Sequence, residues 1–213
     1  MAAAAMPPYK LHEYRKEDGS FDYDKYAEIQ IAGNKRKIND VWVSEKSIAF
    51  LADHLLRRIG WPSRGLCHGT RGGYEQRWFR QYLPGCEMLG TEISDTAADY
   101  PDTIQWDFHD VKPEWIDAWD FVYSNSFDHT HSPQQCLDAW MSCVRPGGLG
   151  IIEHSRADYP DKTSTLDPFG VHLFHLPYLI AVWGANRYAV REVLKVPAGK
   201  GGSPHFLLIH KFE

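Results

Sequence analysis

No apolar run in this sequence approaches the roughly 20 residues that a membrane-spanning helix needs. Its four cysteines, Cys67, Cys86, Cys136 and Cys143, form no CxxC pair and no metal-type spacing, so a reduced, cytoplasmic setting fits best. Basic charge is scarce. Lys and Arg total 23 against 28 Asp and Glu, for a formal net charge of −5, which argues against a nucleic-acid binder with its basic face. The opening MAAAAMPP has no basic segment ahead of a long apolar core, so it is not expected to act as a secretory signal and is read as a disordered tip. There is no internal repeat, and no low-complexity tract beyond those alanines. Aromatic residues, in contrast, make up 14% of the chain and favour a packed domain over disorder. A length of 213 residues suits one domain with a sizeable core and a small appendage.

The chain is organised around Leu66 to Glu92, LCHGTRGGYEQRWFRQYLPGCEMLGTE. This reads as a strand, a glycine-containing turn (CHGTRGG), an amphipathic helix and a second strand ending on an acid. Glycines at Gly69 and Gly73 permit positive φ and close approach of a ligand to the backbone. The helix after the turn points its free N–H groups and positive dipole end back at it. Glu92 lies about 20 residues beyond the turn, where a nucleoside-binding βαβ unit places its ribose-binding carboxylate. An adenosine-type ligand at the carboxyl end of a parallel sheet is the functional reading. An ordinary βαβ unit, with glycines serving only the turn, is the plain one.

Other segments extend the pattern. Tyr9 to Asn39 is polar and aromatic, with a short helix expected from near Asp22 and ended by Gly33 and Asn34. Residues 1–40 are expected to form an N-terminal appendage or lid, and 41–213 the main domain. Lys35, Arg36 and Lys37 are either a solvated patch or an anion site. A helix capped by Ser44 carries the stripe Ile48, Leu51, Ala52, Leu55, Leu56, Ile59 and stops at Gly60. Strands are expected at Arg64–His68, Glu87–Glu92, Thr103–Trp106, Asp120–Ser124 and Leu149–Glu153, with helices at Tyr74–Tyr82 and Pro133–Val144. RPGG is expected as a sharp turn before the fifth strand. A helix within PYLIAVWGANRY and two strands, Ala189–Val196 and His205–Phe212, joined by PAGKGGSP, close the chain. Such alternation implies an α/β fold: a Rossmann-like, doubly wound, seven-stranded, mostly parallel sheet with an antiparallel C-terminal hairpin strand and an N-terminal helical appendage.

Four stretches together resemble class I S-adenosylmethionine (SAM) dependent methyltransferases of the small-molecule branch: CHGTRGG, LGTEIS, QWDFHD and DFVYSNSFDHTHSPQQCLDAWMSCVRPGGLGIIEH. The last is the most specific, with the triplet Phe127, Asp128, His129 after the fourth strand and the Arg145-Pro146-Gly147-Gly148 turn before the fifth. The resemblance covers Arg64 to His154 well, the closing strands loosely, and the first 40 residues not at all. It implies SAM as cofactor, with Gly69, Arg71, Gly73, Glu92, Ile93, Asp107, Phe108 and Asn125 around it. Glu92 matches the ribose acid, Asp107 the acid accepting from the adenine amino group, and Ile93 and Phe108 the apolar neighbours of the ring. The chain departs from the family turn in two places. Cys67 stands where an acid usually helps hold the methionine part, and Arg71 where the middle glycine would be. A guanidinium there can pair with the cofactor carboxylate.

Methyl transfer needs an acceptor positioned in line and relieved of its proton. His129 is the candidate general base and Asp128 its orienting group or an acceptor ligand. A structural or substrate-shaping role explains His129 as well. Glu153, His154 and the aromatic stretch Asp167 to Pro177 can also face the acceptor. His172 and His175, with Asp128, His131 or His154, are a possible metal set, though no two-ligand motif is present and no metal is expected. The expected partner is a small-molecule acceptor, sugar-like or a natural-product intermediate, with no nucleic acid and no membrane. Two alternatives are a non-catalytic relative of the fold and an NAD-dependent oxidoreductase, whose G-x-G-x-x-G turn is not met here.

Overall fold

The computed structural model describes residues 8–196 and 204–212. The expectations for the N-terminal tip (1–7) and the hairpin connection (197–203) lie outside the described residues.

In chain order the elements are β1 (Tyr9–Leu11), α1 (Tyr23–Arg36), α2 (Glu45–Ile59), β2 (Arg64–His68), α3 (Tyr74–Tyr82), β3 (Glu87–Glu92), β4 (Thr103–Gln105), β5 (Trp119–Ser124), α4 (Pro133–Cys143), β6 (Val144–His154), β7 (Phe169–Val171), α5 (Leu176–Gly184), β8 (Tyr188–Lys195) and β9 (His205–Lys211). Short 3-10 turns fill several of the connections. The main sheet has seven strands in the order β4-β3-β2-β5-β6-β9-β8. Its first five are parallel, and β9 runs antiparallel to both β6 and β8. This is the doubly wound sheet with an antiparallel closing hairpin that the alternation predicts.

Strand residues alternate between two cores. On one face Cys67, Phe121, Tyr123, Ile151 and Phe206 pack against Ile48, Leu51 and Leu55 of α2 and Phe79 of α3. On the other, Leu66, Val122, Ile152 and Leu207 pack against Leu137 and Trp140 of α4 and Ile180 of α5. Burying each such aliphatic side chain stabilises the fold by roughly 1.5–3 kcal/mol. All four cysteines are buried and free.

Three features differ from the expectation. Helix α1 runs through Gly33 and Asn34 to Arg36. Gly33 serves close packing instead of termination: a Cβ there would meet the Leu166 side chain, and Asn34 Oδ1 accepts from the Thr96 hydroxyl at 3.1 Å. Arg145 to Gly148 lies inside β6, with Gly147 at φ +74° and Val144 still paired to Trp119, so RPGG is an irregularity of the ladder and not a turn before it. Unexpectedly, β1 pairs antiparallel with β7 in a separate two-stranded sheet, which fastens the N-terminal segment to the chain beyond β6.

Candidate active site

Between β2 and β5 the chain's direction of travel across the sheet reverses, and the loops leaving their carboxyl ends diverge to leave a crevice. Ser124 at the end of β5 donates to the His68 carbonyl at 2.9 Å, and Ser126 donates to the Gly69 carbonyl at 3.2 Å, so the two loops are locked together. Gly69 has φ +69°, and a Cβ there would come within 2.7 Å of Ser126 Cβ. Only glycine fits that position. Two adjoining cavities, of about 530 and 860 Å³, open over these loops and share Lys37, Gly69, Arg71, Ser126 and His129.

The first cavity brings together Glu92, Ile93, Asp107 and Phe108 with Tyr26, Gln30, Gly33 and Asn34 of α1. Glu92 is 5% exposed. Its Oε2 accepts the Arg71 backbone N–H at 3.0 Å and its Oε1 the Ser94 N–H at 3.2 Å. Burial pushes its pKa up, against these two N–H bonds and the Arg71 charge. Arg71 takes φ +43°, so the residue standing for the motif's middle glycine keeps a glycine-like backbone. Asp107 is held from three sides: Oδ1 accepts the His109 N–H at 2.9 Å and contacts His109 Nδ1 at 2.7 Å, while Oδ2 accepts the Tyr23 hydroxyl at 2.8 Å. Burial works to raise its pKa, but the His109 hydrogen bonds and charge outweigh burial and hold it at about 2. Gly73 lines neither cavity. It has φ +66° and caps α3, so its place in the site is that of a turn residue.

The second cavity is lined by Asn125, Asp128, Asp158, Asp167, Asp40 and Glu75, besides the shared residues and the apolar Val41, Trp42 and Val43. His129 Nδ1 lies 2.9 Å from Gln30 Oε1 and 2.9 Å from the Leu166 carbonyl. Both are acceptors, so Nδ1 carries a proton, and Nε2 faces outward, 3.7 Å from Asp167 Oδ1. Ligand atoms of Asp128, His129 and Asp167 lie within 4.8 Å of one another. Burial raises the Asp128 pKa, and Asp167 adds to the rise while His129 opposes it.

Other expected neighbours go elsewhere. The pair His172 and His175 is not drawn to Asp128; His172 packs on Tyr159 and Phe174. His131 stacks on His109 at 3.8 Å, outside both cavities. The Glu153 carboxylate accepts the Tyr123 hydroxyl at 2.7 Å beneath the crevice, and His154 pairs with Asp158 at 3.3 Å. Of the stretch Asp167 to Pro177, only Asp167 borders a cavity, because Phe169 to Val171 is occupied by pairing with β1. In the basic cluster Lys35 pairs with Asp95, whereas Lys37 borders both cavities.

Sequence reasoning missed Glu75 and the α1 residues Tyr26, Gln30 and Asn34. Glu75 sits in the first turn of α3, only 6% exposed, with Oε2 buried and without a hydrogen-bond partner. Burial pushes its carboxyl up to about 8, with Arg71 opposing the rise and Glu153 and Glu92 adding to it. A signal was available: an acid two residues past the glycine turn, in a chain whose turn lacks its usual acid.

No family model and no curated protein matches the sequence. Solved structures do. A 1,6-didemethyltoxoflavin-N1-methyltransferase from Burkholderia thailandensis, with 1,6-didemethyltoxoflavin and S-adenosylhomocysteine bound, aligns at TM-score 0.69 and 13% identity over 99% of each chain. The plantazolicin methyltransferase BpumL, in complex with S-adenosylhomocysteine, aligns at TM-score 0.65 and 13% identity over 89% of this chain and 96% of its own. The N-methyltransferase NodS from Bradyrhizobium japonicum WM9, also in complex with S-adenosylhomocysteine, aligns at TM-score 0.62 and 11% identity over 86% of this chain and 99% of its own. At these identities the likeness establishes a shared fold.

Proposed function

We propose that this chain, which has the fold of class I methyltransferases, transfers the methyl group of SAM to a small-molecule acceptor. The observation that carries the reading is the convergence of Glu92, Asp107, Phe108 and the Gly69 turn on one cavity at the topological switch point. The names of the fold neighbours, methyltransferases of small molecules and natural products, favour the same acceptor class.

The residues present fit an adenosine. Glu92 keeps lone pairs free beyond its two N–H bonds, enough to accept from ribose hydroxyls. Ile93 and Phe108 give the base an apolar slot, and ionised Asp107 accepts from an exocyclic amine. Arg71 and Lys37 offer cationic partners to a carboxylate. Asn125 borders the second cavity, where the acceptor would stand. When bound, the cofactor supplies a methyl group on a sulfonium sulfur; the protein's tasks are to orient the acceptor, exclude water and receive a proton. His129 Nε2 is the base, its tautomer fixed by Gln30 and Leu166. Asp128 orients the acceptor beside it. Residues 1–40 act as a cover over the nucleoside, since α1 lines its cavity. No helix among the described residues is long and apolar enough to cross a membrane; we place the reaction in the cytoplasm.

The test is calorimetric titration of the purified chain with SAM and S-adenosylhomocysteine. Saturable binding with methyl transfer from labelled SAM to an acceptor panel supports the reading. A folded sample that binds neither refutes it. A second reading, a non-catalytic nucleoside-binding relative, is favoured by the missing acid at Cys67; it predicts binding without transfer to any acceptor.

A further inference from the structure

Arg71 and Glu75 flank the glycine turn with polar atoms left over. Arg71 donates from Nη1 to the Asp40 carbonyl at 3.0 Å, but its Nε is buried without a partner. Glu75 Oε2 is likewise buried without a partner. Both residues border the second cavity. A buried carboxylate oxygen and a buried guanidinium N–H that do not bond each other, or anything else, carry an unmet desolvation cost. Water can satisfy each singly. One ligand that satisfies both at once carries an ammonium and a carboxylate on neighbouring atoms, which is an α-amino acid group. Cys67, where an acid is usual, is fully buried at 0% exposure, in the core on the α2–α3 face of the sheet, and offers no charge to the cavity.

We propose that Glu75 binds the α-ammonium of the cofactor's amino acid end, with Arg71 on its carboxylate, so that an acid on helix α3 replaces the one missing from the end of β2. This rests on the reading of the crevice as a SAM site, with the amino acid end of the cofactor reaching past the shared Gly69 and Arg71 into the second cavity, beside the acceptor. It adds a residue, a charge partner and a proton balance to that site. In the free protein Glu75 is held protonated near neutral pH by burial, with a pKa of about 8. An ammonium seated against it favours the carboxylate, so binding expels a proton, on the order of one per site at pH 7.

Calorimetry on the full chain tests this with two nucleosides: S-adenosylhomocysteine, which carries the amino acid end, and 5′-methylthioadenosine, which lacks it. Glu75→Gln is expected to weaken S-adenosylhomocysteine at least ~10-fold and leave 5′-methylthioadenosine within about twofold, which also reports that the variant is folded. Equal loss for both nucleosides, or unchanged S-adenosylhomocysteine binding, overturns the proposal and leaves the cofactor reading standing. Binding of neither by the unmodified protein sinks the cofactor reading itself. A second measurement needs no variant. The binding enthalpy of S-adenosylhomocysteine at pH 7 is compared in buffers of different ionisation heat. Release of about one proton supports the assignment, and no buffer dependence contradicts it.

Discussion

The two ends of the crevice are built differently. At the proposed nucleoside end each carboxylate is anchored by the protein and keeps lone pairs to spare. Glu92 takes two backbone N–H bonds, and Asp107 takes His109 and Tyr23. At the proposed acceptor end, none of the other described residues donates to Asp128, and Asp167, which accepts the Ser164 hydroxyl at 3.2 Å, stands 3.7 Å from His129 Nε2. The first arrangement fixes oxygen positions before any ligand arrives, as recognition of one defined group requires. The second gathers carboxyl groups, Asp128 among them with its pKa raised by burial, whose remaining partners come from whatever binds there. The two ends thus differ in how far the protein itself supplies the partners of its carboxyl groups.

The sharpest break is expected at the nucleoside end. Glu92→Ala removes the proposed acceptor of the ribose hydroxyls and unties the turn at Arg71. Two charge-assisted bonds of this kind are worth about 3 kcal/mol together, or a ~100-fold loss of S-adenosylhomocysteine affinity by calorimetry. A change within threefold would take Glu92 out of the ribose site. His129→Ala tests the other end. Loss of a general base lowers turnover by roughly 100-fold, while S-adenosylhomocysteine affinity stays within about threefold. Undiminished turnover on an acceptor found by screening would reduce His129 to packing.

A smaller effect belongs to Asp107 and is read through pH. Its pKa in the fold, about 2, lies below the unfolded value near 3.8. The ionised form therefore stabilises the fold above pH ~4, by roughly 2 kcal/mol, and this is lost as pH falls from ~4 through ~2. Urea unfolding across that window should show the native chain losing this advantage over Asp107→Asn. Parallel curves would mean that His109 and Tyr23 do not hold the charge. The smallest expected effect is that of a chelator: EDTA should leave nucleoside binding and turnover unchanged. A Mn²⁺ titration that saturates and disappears in Asp167→Asn would instead make Asp128, His129 and Asp167 a metal site.

The strands and helices of the sheet were largely legible because short strands and amphipathic helices alternate between connections marked by glycine or proline. Arg64–His68, Tyr74–Tyr82 and Glu87–Glu92 fall at the predicted residues. The pairing of β1 with β7 was not legible, since three residues find their partners about 160 positions away with no periodicity to announce them. In the site, Glu92 and Asp107 could be located because their distance from a strand end carries meaning. Glu75 was passed over despite its place beside the turn, because a glutamate in a helix's first turn is ordinarily solvated and only packing shows that this one is not. Gly33 misled for a related reason: a glycine that admits Leu166 has the same letter as one that stops a helix.

Helix α1 adds no strand to the main sheet, yet Tyr26, Gln30, Asn34 and the adjoining Lys37 border the nucleoside cavity, and Gln30 holds the His129 ring. A chain begun at Asp40 would keep every strand of the sheet and both of its cores while surrendering one wall of the cavity and the clamp on the base. The residues that complete the sheet and the residues that complete the cavity therefore begin at different points of the chain. A fragment chosen for its complete sheet would lack part of the cavity wall and mislead a study of binding.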